Sequence, residues 1–423
     1  MSDEPSFTFA KGNVRKLLAA PRYLGGRLRT LATTRDPSLW VMGSAFGVAD
    51  GARAFARAAL DSSQPPRLVW LATHPGELAD ALDAGFDEAH LKDSRDAFEL
   101  TLRAGLIAVT HGFGDVNPYV VDGAVVVQLW HGAPLKKLHA DSPAVFGAGA
   151  GKLPGLGALM RLAYRRGTAR ISLLPVSSQF FQPFLASAFA LDGSRVRVLG
   201  EPRTDVLFSG TEAERQQSAR ALLSRQLGDL GDSRVLLYAP TWRDGEPDPG
   251  IPTDAEWRLI DDLCARHDCV LVIRPHPLGV GAYTHTSDRV RLLTPEVQSE
   301  SMPLLWGVDA LITDYSSILV DYAVTGRPLL LLTPDLEHYR ATRGLYVDYD
   351  ELSGGTWFRS WIEVVDELDA LFTDPEHRQR AEARSEVLGA LFHAHTDGRN
   401  AERVVTAARE LVDQRFRSHR RTR

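Results

Sequence analysis

Short apolar runs alternate with amphipathic segments along most of the chain. Residues 39–43, 68–72, 106–109, 124–129 and 173–176 each read as a buried strand, and 196–199, 235–238, 270–273, 311–312, 329–332 and 345–347 continue the series. Runs this short, with little polar alternation, fit strands buried on both faces, as a parallel sheet requires. Between them, residues 50–60, 77–84, 159–166, 212–227 and 256–267 have helical spacing, as do 378–390 and 401–411 near the end. Strands separated by crossover helices predict an α/β protein with parallel sheets. The series divides into a leader (1–37), a first α/β domain (38–192), a second (193–385), and a C-terminal helix with a tail (386–423) that crosses back toward the first domain.

Composition narrows the class. The 423 residues are 44% hydrophobic and 24% charged, with a formal net charge of −6, which suits a globular protein and argues against a nucleic-acid binder. Cys264 and Cys269 are the only cysteines, too few for a disulfide framework or a thiol metal site. No apolar run reaches membrane-spanning length and no signal peptide stands at the start, so a reducing, cytoplasmic setting is expected. Charge is nonetheless segregated. Residues 11–35 hold seven basic and no acidic side chains, interleaved with Leu17, Leu18, Tyr23, Leu24 and Leu28. That pattern suits an anionic membrane surface, although Pro21 and Gly25-Gly26 argue against one unbroken helix. Arg415, Arg417, Arg420, Arg421 and Arg423 form a terminal basic run, read as solvated or lipid-facing.

Candidate chemistry lies in the polar residues that follow the strands, because open α/β sheets bind ligands beyond the carboxyl ends of their strands. Segment 311–327, LITDYSSILVDYAVTGR, runs from strand through turn into a helix expected to end near Gly326. Ser316 and Ser317 are placed to hold a diphosphate. Asp314 or Asp321 is placed to accept hydrogen bonds from a ribose or to position a basic side chain. In 128–138, QLWHGAPLKKL, His131 follows a strand directly, where neutral imidazole can take a proton from an attacking hydroxyl. Lys136 and Lys137 are placed to hold an anionic acceptor. Segment IRPHP supplies Arg274 and His276 as donors to phosphoryl oxygens, and YAPTWRD supplies Thr241 and Arg243 for a phosphate. Arg343 is a further phosphate candidate, Asp335 and Glu337 read as salt-bridge formers, and His111 closes the strand before His131. The Gly- and Pro-rich stretch 142–157 reads as a long loop, either a surface insertion or a lid. Taken singly, each residue also has a structural reading: Trp130 as core, Asp314 and one serine as caps.

Together these segments resemble the CDP-glycerol glycerophosphotransferase family of bacterial teichoic-acid synthesis, over approximately residues 37–400. The carriers are QLWHGAPLKKL, YAPTWRD, IRPHP, TDYSSILVDYAVTGRP and DLEHYRATRGLYVD, in that order. The resemblance implies a GT-B-like fold, two Rossmann-type domains facing an interdomain cleft, with an acceptor side first and a CDP-donor side second. It implies transfer of a polyol phosphate, glycerol phosphate from CDP-glycerol above all, to a lipid-linked or growing envelope polymer with release of CMP. His131 matches the family's proposed general base, His276 its second active-site histidine, and Ser316-Ser317 its donor-binding turn. Ala133 and Arg327 depart from the threonine and lysine common in relatives, which leaves donor and acceptor less defined. No cofactor is implied with certainty; the donor's diphosphate leaves room for a divalent metal, for which the sequence supplies no ligand set. A peripheral position on the inner face of the cell membrane is the expected location. A CDP-ribitol phosphotransferase, a nucleotide-sugar glycosyltransferase and a catalytically weak nucleotide-binding partner remain as alternatives.

Overall fold

The computed structural model describes residues 20–142, 156–243, 247–276, 283–285 and 287–421. The first nineteen residues of the basic leader and nearly all of the 142–157 loop lie outside the described residues. The chain forms two compact units. Unit one comprises residues 1–131, 138–203 and 399–423; unit two comprises 132–137 and 204–398.

Unit one is built on five parallel strands: β1 (Asp36–Met42), β2 (Arg67–Ala72), β3 (Ala89–Leu91), β4 (Ala104–Val109) and β5 (Val125–Gln128), in the order β3-β2-β1-β4-β5. Val41 stands opposite Val69 on one side and Ile107 on the other. Strand period two then sorts the apolar residues onto two faces. Trp40, Met42, Trp70 and Val127 pack with Phe55 of helix Asp50–Leu60 and with Val404, Val405 and Ala408 of the C-terminal helix. Leu39, Val41, Val69, Leu71, Ile107 and Val109 form the opposite core. A parallel bridge from Val127 to Leu173 continues the sheet toward β6 (Leu174–Val176) and β7 (Val196–Val198), which pair with each other. That pairing keeps the chain in unit one as far as Arg203.

Unit two repeats the plan with β8 (Arg234–Ala239), β9 (Cys269–Ile273), β10 (Val290–Leu292), β11 (Ala310–Thr313) and β12 (Leu329–Leu331), in the order β10-β9-β8-β11-β12, all parallel. Helices Asp254–His267 and Trp361–Thr373 cover one face through Trp257, Ile260, Trp361 and Val364. Cys264 and Cys269 are buried and free. In each unit the strand order reverses beside the first strand, between β1 and β4 and between β8 and β11. Those reversals open a crevice at the carboxyl ends.

Several expectations change. Helix Ala20–Ala32 runs unbroken through Gly25-Gly26, while the leader before Ala20 lies outside the described residues. A Cβ on Gly26 would lie 2.2 Å from the Tyr119 carbonyl oxygen, so glycine is what lets this helix dock. Residues 345–347 form no strand; Leu345 makes a single antiparallel bridge to Lys136. The helix after Ser317 is only Ile318–Tyr322, followed by a 3₁₀ turn at Ala323–Thr325 and a left-handed Gly326. The terminal basic run is not a solvated tail at its start: Arg415 and Arg417 lie on helix Asn400–Arg421, and Arg415 donates to the Gly123 and Ala124 carbonyls.

Candidate functional site

In unit one, the loops after β1, β4 and β5 bring four rings together. The His111 and His131 imidazoles stack with centroids 4.1 Å apart and planes 17° apart. Phe46 meets both edge-on, at 4.5 and 5.5 Å, and Trp130 lies 3.9 Å from His131. Trp130 holds a left-handed backbone (φ 59°), an uncommon conformation for a bulky residue, directly before His131. The β4 loop is organised by Asp115, whose buried carboxylate accepts from the backbone N–H groups of Thr110 and His111, both at 2.8 Å. The Gln128 amide, with its nitrogen turned toward acceptors, donates to the Val109 and Thr110 carbonyls at 2.8 and 3.0 Å and so ties the ends of β4 and β5. Burial, then His111 and Arg203, push the His131 pKa well below the ordinary 6.5, so the ring is neutral at pH 7. A neutral imidazole at a strand end is the form that accepts a proton. Asp115, Phe46 and His139 went unremarked in the sequence. For Asp115 a signal existed, a carboxylate five residues past Thr110 across a glycine-rich turn.

In unit two, the ends of β8 and β11 meet through one arginine. Arg243 donates to Asp335 through Nε and one terminal nitrogen (2.8 and 2.9 Å), and through the other to Asp314 (2.9 Å) and the Thr241 carbonyl (2.7 Å). Asp314 also accepts from the Thr241 N–H at 2.8 Å. Tyr315 and Tyr339 stack at 3.9 Å, with the guanidinium 5.0 and 4.9 Å from their centres. Arg243 and Asp314 are therefore an internal scaffold: of the two roles the sequence offered Asp314, it takes that of positioning a basic side chain, and Arg243 is the side chain positioned rather than a free phosphate ligand. Arg274 is likewise engaged, donating to the Gln298 and Ser299 carbonyls at 2.7 and 2.9 Å. Asp321 is buried in the short helix.

The remaining polar groups of unit two have another character. The Thr241 hydroxyl is buried with no hydrogen-bond partner among the described residues, and Ser316 and Ser317 are part-exposed at the end of β11. His276 stacks beside Trp242 at 6.0 Å, and the Arg343 guanidinium lies 5.1 Å over the same indole. Burial, then Lys136 and Arg274, push His276 down to about 4. Lys136 reaches this group because residues 132–137 belong to unit two, where the Lys137 N–H donates to Gly344 (3.0 Å) and the Tyr346 N–H to Leu135 (2.9 Å). Lys137 itself is exposed, its stem packed on Gly344. Among the described residues no cluster of three or more His, Cys, Asp or Glu is arranged to hold a metal ion.

Known proteins share this architecture. The structure of the wall teichoic acid polymerase TagF superposes with a TM-score of 0.71 at 20% identity, over 97% of this chain and 98% of that one, which gives the fold as GT-B-like. The teichoic acid poly(glycerol phosphate) polymerase of Staphylococcus epidermidis is 29% identical over 255 residues, 58% of this chain and 33% of its own length. The teichoic acid glycerol-phosphate transferase of Staphylococcus aureus is 28% identical over 288 residues, 66% of this chain and 69% of its own. The chain thus spans a third of the first relative and about two thirds of the second. The family model described as CDP-glycerol:poly(glycerophosphate) glycerophosphotransferase matches residues 30–409, and with nearly the whole described chain inside that match, this chain belongs to that family.

Proposed function

We propose that this chain transfers glycerol phosphate from CDP-glycerol to a hydroxyl group of a cell-envelope polymer or its lipid-linked precursor. The observation that carries this reading is the family match over residues 30–409, which includes both histidine-bearing strand ends. The acceptor oxygen attacks the phosphorus that bears glycerol, the bond from that phosphorus to the oxygen of CMP breaks, and CMP leaves. His131 takes the acceptor's proton. The Thr241, Ser316 and Ser317 hydroxyls hold the diphosphate, with His276 as a neutral donor and Lys136 and Arg343 as cations. Lys137 is placed to attract the acceptor. Such a reaction depends on alignment and charge stabilisation and needs no covalent enzyme intermediate.

CDP-ribitol is the second donor to consider, because the teichoic acid ribitol-phosphate polymerase TarL of Staphylococcus aureus is 30% identical over 234 residues. Purified protein given CDP-glycerol, CDP-ribitol or nucleotide sugars, with a lipid-linked acceptor, separates the readings. Polyol-phosphate incorporation with CMP release supports ours; sugar incorporation with nucleoside diphosphate release rejects it. His131→Ala is expected to lower transfer by roughly 100- to 10,000-fold with donor binding retained.

No helix among the described residues is long and apolar enough to cross a membrane. We place the protein peripherally on an anionic membrane, at the inner face where nucleotide donors are available. Helix Ala20–Ala32 exposes Leu24 (63%), Leu28 (61%) and Leu31 (79%) among Arg22, Arg27 and Arg29, and helix Leu156–Thr168 exposes Leu159 (59%) and Leu162 (44%) among Arg161, Arg165 and Arg166. Neither helix holds an acidic residue. Leucine stripes flanked by arginines suit a lipid headgroup boundary. Among the described basic residues of the leader, Arg35 is the exception: it is buried, and its guanidinium donates to the Thr101, Ala104, Val120 and Asp122 carbonyls. Co-sedimentation with anionic but not neutral vesicles tests this placement.

A further inference from the structure

We propose that His111 is a positioning residue for His131: the two imidazoles act as one stacked base, with His111 fixing the plane of the His131 ring and a proton on one ring opposing a proton on the other. This rests on the general-base reading of His131. The stacking follows from topology. β4 and β5 are neighbours whose last paired residues are Val109 and Gln128, and each histidine leaves its strand within three residues of that pair. Phe46, from the loop after β1, packs edge-on against both rings, and Trp130 closes on His131 at 3.9 Å. His131 is thereby held between rings, and His111 is the one ring among them that can itself carry charge.

His111 is anchored more firmly than an incidental neighbour would be. Asp115 accepts its backbone N–H at 2.8 Å, and its Nδ1 lies 3.3 Å from the Thr110 hydroxyl oxygen. That hydroxyl in turn reaches the Asp115 carboxylate and the Ser44 hydroxyl, both at 3.2 Å. The Thr110 hydroxyl thus ties His111 Nδ1 into a network anchored at Asp115 on its own loop and at Ser44 on the loop after β1.

Two imidazolium rings stacked this closely repel, so the pair takes protons in separate steps. The charged and titratable groups facing it are Asp115 on the His111 loop, and Arg203 and His139 toward His131. Burial lowers both rings. Asp115 raises His111, whereas His111, Arg203 and His139 all lower His131 further. Acidification therefore protonates His111 first, and its charge then drains basicity from His131. Activity falls as pH drops through the His111 step, before His131 itself is protonated.

The test is the pH profile of CMP release from CDP-glycerol with a glycerol-phosphate-terminated lipid acceptor, for the full chain and for His111→Phe, His111→Ala and His131→Ala. His111→Phe keeps a flat ring against His131 and cannot take a proton, so its acid limb is expected to move to lower pH. His111→Ala loses the ring as well, and kcat is expected to fall roughly tenfold to a hundredfold with donor KM unchanged. An acid limb of His111→Phe superimposable on that of the wild type overturns the proposal, as does wild-type kcat in His111→Ala. Should His111→Ala fail to fold, the His111→Phe profile alone decides. An active His131→Ala defeats the base reading instead, whereas an inactive one beside wild-type-like His111 variants defeats only this inference.

Discussion

Replacing Arg243 with methionine tests whether the β8–β11 junction is held as described. The Arg243 side chain is 7% exposed and that of Asp314 3%, while Asp335 is somewhat more open at 18%. The substitution keeps a long apolar stem between Tyr315 and Tyr339 and removes four hydrogen bonds to Asp335, Asp314 and Thr241. Two carboxylates then remain with no cation between them. Breaking a buried pair in this way costs about 3–5 kcal/mol, mostly the desolvation of the charge left behind. For a unit of this size that corresponds to a melting point lowered by roughly 6–20 °C. The pH dependence has a definite sign. Burial raises Asp335, but the hydrogen bonds and charge of Arg243 outweigh it and hold the carboxyl below its usual 3.8. The stability gained there is complete above the unfolded-state value and is lost only as pH falls through the lower folded value. Burial raises Asp314 despite Arg243. Without the arginine both carboxyls move up, so the defect is largest near neutrality and shrinks as acid neutralises them. Scanning fluorimetry across this pH range reads the difference, and Asp314→Asn added to Arg243→Met should restore part of it. A melting point within about 2 °C of wild type at pH 8 would refute the scaffold.

Thr241→Val removes a hydroxyl that no described residue satisfies, so stability should hold or rise while the KM for CDP-glycerol increases about three- to tenfold; unchanged KM would take Thr241 out of the donor site. His276 sits near pKa 4 because of burial, Lys136 and Arg274, and a bound diphosphate should raise it, so donor affinity strengthens as pH falls below the bound value. Calorimetry in buffers of different ionisation enthalpy should show net proton uptake at mildly acidic pH, and none would place His276 away from the phosphates. Gly26→Ala forces a Cβ to 2.2 Å from the Tyr119 carbonyl, costing about 1–3 kcal/mol in urea titration, and should weaken retention on anionic vesicles; undiminished vesicle binding would separate this helix from the membrane face.

The division between scaffold and ligand-facing groups explains what could be read in the chain and what could not. Strands such as Leu236–Tyr238 and Val270–Ile273 announce themselves because burial on both faces leaves no polar position, and that constraint is written locally. β3 and β10 did not, since Ala89–Leu91 and Val290–Leu292 are three-residue edge strands that become strands only beside β2 and β9. The same distinction governs the site. Local sequence places Arg243, Arg274, Asp314, Thr241 and Ser316 behind strands, where a phosphate would find them. It carries no information on which are already spoken for, because the partners that claim them, Asp335 for Arg243 and Gln298 for Arg274, are 92 and 24 residues away. Partnering sorts the list by physics: an arginine whose donors already meet carboxylates has little to gain from a phosphate, whereas a buried Thr241 hydroxyl with no partner among the described residues would gain a hydrogen bond. The turn at Ser316-Ser317 changes meaning by the same argument. Its helix, Ile318–Tyr322, is too short for its dipole to hold an anion, so the proposed donor role rests on the two hydroxyls themselves, on a backbone that Asp314 and Arg243 keep fixed.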